Sequence, residues 1–196
     1  MKYRQMTLDI ADHAQWLKQY YFLRAAFSLA WVIAAFTIAP PSAVIAATLL
    51  VAYPAWDAAA NYLDALCSGG LNQNRTQALN VLVSLATTIA VVLALRVSMN
   101  WVLGIFGAWA VLSGLLQLGT ALQRWKRFGA QWAMALSGGQ SALAGGFFIA
   151  QAAMPAAPSI TNVAGYAAVG ALYFLVSAIW LTVTAWRRGA RRAQLG

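Results

Sequence analysis

Apolar positions along this 196-residue chain gather into six long stretches, separated by short polar or basic joints. The stretches run over about 21–39, 42–66, 77–95, 101–122, 130–153 and 160–186. Coiled as a helix, about 20 apolar residues match the roughly 30 Å hydrocarbon core of a bilayer. Backbone groups in lipid must also be paired within their own segment, which a helix achieves. A transmembrane barrel would need alternating polar and apolar residues over segments of about ten, and runs such as 81–95 and 163–186 do not alternate. The pattern predicts an all-α polytopic membrane protein with six transmembrane helices arranged as three antiparallel hairpins.

The punctuation supports that plan. Pro40 and Pro41 stop the first span, and Ser68, Gly69 and Gly70 stop the second. Arg96, Ser98 and Asn100 make a brief turn before the fourth, and Pro155 and Pro158 mark the turn before the sixth. Each hairpin therefore holds a short turn, and longer joints at 71–76 and 123–128 separate the hairpins. The three units read as a degenerate repeat of about 55–60 residues, with Ser28-Leu29-Ala30 echoed by Ser84-Leu85-Ala86 and Gly107-Ala108 by Gly170-Ala171.

Residues 1–20 form an amphipathic segment of a different kind. Ile10, Ala14, Trp16, Leu17 and Tyr20 alternate with Asp12, His13, Gln15 and Lys18, which suits a short helix lying on the membrane surface. Trp16, Tyr20 and Tyr21 are expected at headgroup level. So long a polar lead before a spanning run is unlike a cleavable signal peptide.

Composition agrees with lipid as the solvent. The chain is 62% hydrophobic and 9% charged, whereas soluble domains are about 45–50% apolar and about 25% charged. Its net charge of +9 arises from 13 Lys and Arg against four acids. In a soluble protein that balance would suggest nucleic acid; here topology explains it. With the amino terminus inside, the joints at 71–76 and 123–128, the lead segment and the tail 187–196 all place their Lys and Arg on the inner side. Arg96 alone lies outside. Both termini are then cytoplasmic, and the basic tail is expected to meet anionic lipid headgroups, with no nucleic-acid partner.

No nucleotide loop, metal cluster or nucleophile set is legible, so no catalytic, cofactor-binding or metal-binding residue is expected. Cys67 is the one cysteine, which excludes an intramolecular disulfide, and its thiol reads as buried or interfacial. His13 has no second His or Cys near it with which to hold a metal.

Ionisable groups inside a span are costly and become candidates for function. In the second span, Tyr53, Asp57, Asn61 and Asp64 share one helical face, with Asp57 roughly 13 Å from the cytoplasmic end and Asp64 near it. Arg24 of the first span can reach Asp64 or extend toward Asp57. Asn80, Gln117 and Gln140 lie in the same inner half or at the midplane. Pro54 is positioned to kink the second helix and open a carbonyl beside this face. Two readings stay open: a structural layer that fixes which helices pack together, and a water-filled site for a proton, cation or small solute.

A second constellation is made of small residues. Gly138, Ala142 and Gly146 recur every four positions on the fifth span, with Ser137, Ser141 and Gly145 beside them. Such stripes let helix backbones approach closely. Packing within the chain is the first reading of them, and a homo-oligomer the second. Trp101, Trp109, Trp125, Trp132, Trp180 and Trp186 read as interfacial belts.

The stretch from Trp101 to Gln151 resembles the HdeD-like family of small bacterial inner-membrane proteins. The resemblance rests on the Gly-rich span ending Ser113-Gly114-Leu115-Leu116-Gln117-Leu118, the basic joint from Arg124 to Arg127, then Trp132, Ser137-Gly138 and Gly145-Gly146. It covers about a quarter of the chain, and the three-hairpin plan extends it loosely over the whole. It implies a six-helix plasma-membrane protein with a role in acid resistance and no assigned biochemical activity. No catalytic residues carry over, and Asp57, Asn61 and Asp64 lie outside the matching pattern. The expectation is a non-enzymatic membrane protein, structural or stress-related; the alternative is a small proton, cation or solute transporter or channel component using Asp57.

Overall fold

A computed structural model describes the backbone of residues 2–126 and 131–193, and the side chains of 15–126 and 131–187. His13, Arg127 and the basic positions from Arg188 onward lie outside the described side chains. The described residues form six helices and no strand: α1 Lys2–Thr37, α2 Ala43–Cys67, α3 Arg75–Ala94, α4 Met99–Arg124, α5 Gln131–Ala152 and α6 Ile160–Ala193. Each contains a stretch long and apolar enough to cross a membrane.

Local chemistry sets the ends. Ser42 and Ser98 cap α2 and α4 by accepting from the backbone N–H of Ile45 and Trp101. Past α2, Gly69 and Gly70 adopt φ of 101° and 91°, and the Gly70 N–H returns to the Ala65 carbonyl at 2.8 Å. Glycine takes these values without the steric cost a side chain would meet. α1 differs from the expected surface segment plus span: the backbone is one uninterrupted helix of 36 residues. Nothing between residues 1–20 and 21–39 breaks it, since neither Gly nor Pro occurs before Pro40.

The helices alternate in direction, giving three antiparallel hairpins, and pack in chain order with α6 returning to α1, so that the ring closes. The tightest contact is α4 against α5, followed by α1 against α6 and α2 against α3. Packing within the first and third hairpins is looser. Side-chain size explains the contrast. Between α1 and α2 stand large rings: Phe27 stacks on Trp56 at 4.4 Å and Trp31 meets Tyr53 at 4.6 Å between centroids. Between α4 and α5 stand glycines. A Cβ added to Gly114 would lie 2.5 Å from the Gly138 carbonyl oxygen, and one added to Gly145 would lie 2.5 Å from that of Gly107. Here the backbones touch.

This places the small-residue stripe one helical position away from the every-four pattern. Gly138 is at the seam and Ala142 borders it, but Gly146 faces open space. The seam runs through Gly138, Ser141 and Gly145, against Gly107 and Gly114 of α4. A spacing of seven keeps both glycines of each helix on the partner as the pair winds.

The outer surface is apolar. Val44, Leu122 and Leu143 are 76%, 71% and 79% exposed, with many other large apolar side chains around the ring. Such continuous apolar cover has lipid as its fitting solvent. Inside, the bundle is divided along its axis. Toward the end carrying the short turns, Trp31, Leu50, Val91, Val102, Phe106 and Val163 form a closed apolar plug. Toward the other end, here called the basic end because Lys18, Arg75, Lys126 and Arg187 lie there, the interior is polar.

Candidate functional site

The polar interior is built from stripes of residues three and four apart, which share a helix face. On α2 the stripe is Tyr53, Asp57, Asn61 and Asp64, all buried. On α3 it is Gln77, Asn80, Ser84 and Thr87, again all buried. On α4, Ser113, Gln117, Thr120 and Arg124 follow the same spacing. Most residues of these stripes, with parts of α1, α5 and α6, surround a cavity of about 60 Å³ lined by residues of all six helices. At ~10–15 Å³ per water, it has room for about four to six water-sized groups.

Two ion pairs stand at two depths. Arg24 pairs with Asp57 Oδ1. The other carboxylate oxygen, Oδ2, accepts from Ser84 Oγ at 2.8 Å and from Asn61 Nδ2 at 3.0 Å. Ser84 Oγ in turn accepts from the indole N–H of Trp109 at 3.0 Å. Arg24 also donates to the Tyr20 hydroxyl at 2.9 Å, and its guanidinium lies 4.4 Å from the centre of the Phe174 ring, a cation–π arrangement. Asp57 is therefore fully engaged.

Two helical turns closer to the basic end, Asp64 is just as crowded. Its Oδ2 accepts from Arg124 Nη2 at 3.0 Å and from Gln77 Nε2 at 3.1 Å. Its Oδ1 accepts from Trp16 Nε1 at 3.2 Å and from Ser68 Oγ at 3.4 Å. This cluster ties α1, α2, α3 and α4 together across the mouth of the cavity. The apolar plug closes the opposite end.

The structure selects between the options left open for Arg24: it takes Asp57, and Arg124 takes Asp64. Tyr53, Asn61 and Gln117 line the cavity with Arg24, Asp57 and Asp64, whereas Arg124 and Gln140 are not part of its wall. Several other placements differ from expectation. Arg124, expected in the basic joint, is 7% exposed. Trp109, expected in an interfacial belt, is 4% exposed at the centre of the bundle. Tyr20 and Tyr21, expected among headgroups, turn inward and pack on Leu17 and Ala178. Cys67 is exposed at the end of α2, consistent with an interfacial thiol. Pro54 is buried within a continuous α2, and Trp31 Nε1 donates at 2.7 Å to the Leu49 carbonyl, next to the Leu50 carbonyl whose helical donor Pro54 removes.

Not every polar group is so occupied. Among the described residues, four buried atoms of cavity-lining side chains have no hydrogen-bond partner: Arg24 Nε, Trp56 Nε1, Asn80 Oδ1 and Ser113 Oγ. No group of His, Cys, Asp or Glu among the described residues has the arrangement to hold a metal ion. The site thus combines charges neutralised in pairs with a small set of free donors and acceptors.

No protein family, curated protein or solved structure is detectably similar to this chain.

Proposed function

We propose that this chain is a non-catalytic, multi-pass protein of the bacterial inner membrane that takes a small polar solute into the chamber at the centre of its helix ring. One observation carries the reading: four of the residues that wall a cavity between all six helices, Arg24, Trp56, Asn80 and Ser113, each carry a buried polar atom that no protein group satisfies. An unsatisfied buried polar group costs roughly 1–3 kcal/mol. Four of them around one cavity favour an occupant that hydrogen-bonds.

Both termini are cytoplasmic in this reading, supported by the excess of Lys and Arg at the basic end against Arg96 at the other. Solute then enters from the cytoplasmic side past the Asp64–Arg124 cluster, and its passage across the membrane requires the apolar plug around Trp31, Leu50 and Phe106 to open. Asp57 acts as part of the wall. Its two oxygens already accept from Arg24, Ser84 and Asn61, so a passing cation would have to displace a guanidinium to reach it.

A second reading has its own support. Saturation of both carboxylates is what a rigid scaffold needs, and it suits the structural or stress-related role implied by the resemblance to the HdeD-like family. Reconstitution in liposomes separates the two. Solute transport predicts faster equilibration of a small polar solute than in protein-free vesicles, measured by light scattering after osmotic shock. Proton and cation flux should stay at background in wild type and in Asp57→Asn alike. Background rates for every solute would leave the scaffold reading.

A further inference from the structure

We infer that the chamber admits uncharged solutes of about four to six heavy atoms that both donate and accept hydrogen bonds, small amides and polyols, and rejects ions of the same size. The inference rests on the solute-chamber reading above and names its substrate class.

Charge comes first. Asp57 and Asp64 face the chamber region, and each is paired with an arginine, so the wall is neutral overall. An anion entering the chamber would lie beside two carboxylates, and a cation beside Arg24, with Asp64 already neutralised by Arg124 from outside the lining. Neither finds an unpaired counter-charge, and a buried charge without one is strongly disfavoured. An uncharged solute avoids that cost.

The free hydrogen-bonding groups narrow the choice further. Arg24 Nε and Trp56 Nε1 can only donate, so they call for acceptor oxygens on the occupant. Asn80 Oδ1 can only accept, and Asn80 is 8% exposed, so it calls for a donor. Ser113 Oγ serves either way. Amide and hydroxyl groups offer both functions in a small volume; hydrocarbons offer neither. Trp56, Trp109 and Phe174 supply apolar wall between these points, as small-molecule sites commonly do.

Size-matched pairs test this directly. Purified full-length protein in liposomes would be challenged with urea against guanidinium and with acetamide against acetate, the latter at alkaline pH with protein-free vesicles as the lipid background. Urea and acetamide should equilibrate several-fold faster than in protein-free vesicles, with guanidinium and acetate at background. Ser113→Leu and Asn80→Leu, each checked by gel filtration, should return urea to background, and Ser113→Thr should keep it fast. Should one leucine variant not fold, the other gives the same readout. Guanidinium or acetate crossing as fast as its uncharged partner would overturn the charge selection and leave the chamber reading standing. All four solutes at background would overturn both. Fast urea in folded leucine variants would place its route outside the chamber and overturn the inference.

Discussion

Arg124 and Asp64 are 60 residues apart in the chain, and their side chains meet at 3.0 Å, 9% and 3% exposed. The pair locks the end of α4 to the end of α2 where the chamber meets the basic end. Removing one partner from a buried pair leaves an uncompensated charge and costs about 3–5 kcal/mol, whereas replacing both with apolar residues is often close to neutral. Arg124→Ala should therefore lower the unfolding temperature in detergent markedly. Arg124→Met combined with Asp64→Leu should recover only part of the loss, because Trp16 Nε1 and Gln77 Nε2 then lose their acceptor. Equal melting of Arg124→Ala and wild type would contradict the buried placement of this pair.

Gly114 and Gly138 make a second test, because their backbones are in contact. Alanine normally favours a helix over glycine by about 1 kcal/mol. At Gly114 that gain competes with a Cβ placed 2.5 Å from a carbonyl oxygen and 2.8 Å from the Ala142 nitrogen, and backbone cannot yield as a flexible side chain can. The clash should win. Gly114→Ala and Gly138→Ala are expected to destabilise by about 1–3 kcal/mol, the usual range for overpacking. Gly139→Ala and Gly146→Ala, which meet nothing within 4 Å, should be neutral or stabilising in the same thermal assay.

Much of this architecture was visible in the order of residues. Hydropathy and Pro/Gly punctuation place a span at 42–66 where α2 runs Ala43–Cys67, and one at 101–122 where α4 runs Met99–Arg124. The α2 stripe was visible too, since spacing alone puts Tyr53, Asp57, Asn61 and Asp64 on one face. Partnership was not. Arg24 has two carboxylates on the facing helix, and only the relative shift of α1 and α2 decides between them. Arg124 looks like a topogenic charge because a basic residue in a joint serves either purpose. The α3 and α4 stripes were legible in principle from their three-and-four spacing, yet serine and threonine carry little weight in hydropathy. For the glycines, a spacing of four and one of seven are both present in α5, and the facing helix selects between them.

Ser84 links Asp57 to Trp109, donating to one and accepting from the other. Ser84→Ala removes both contacts without adding bulk and leaves the Trp109 N–H buried without its acceptor. A loss of roughly 1–3 kcal/mol is expected for such a group. Ser84→Cys, similar in size but a weaker partner, should fall between alanine and wild type. The check is thermal unfolding in detergent, with the shift in tryptophan emission compared against a Trp109→Phe background. An unchanged melting curve for Ser84→Ala would mean that this bridge contributes little.

Cys67 offers a reading of orientation that needs no tag. It is the only cysteine and lies exposed at the end of α2, beside the turn of Ser68 to Gly70. If the basic end faces the cytoplasm, a membrane-impermeant maleimide should label Cys67 in inside-out vesicles and leave it unlabelled in intact spheroplasts. Cys67→Ala should abolish that labelling, and adding Val97→Cys to Cys67→Ala should reverse the pattern, because Val97 is 67% exposed in the turn between α3 and α4 at the opposite end. The four positive charges of Lys18, Arg75, Lys126 and Arg187 against the one of Arg96 predict this sense. Labelling of Cys67 from outside the cell would invert the topology and put the mouth of the chamber on the external face.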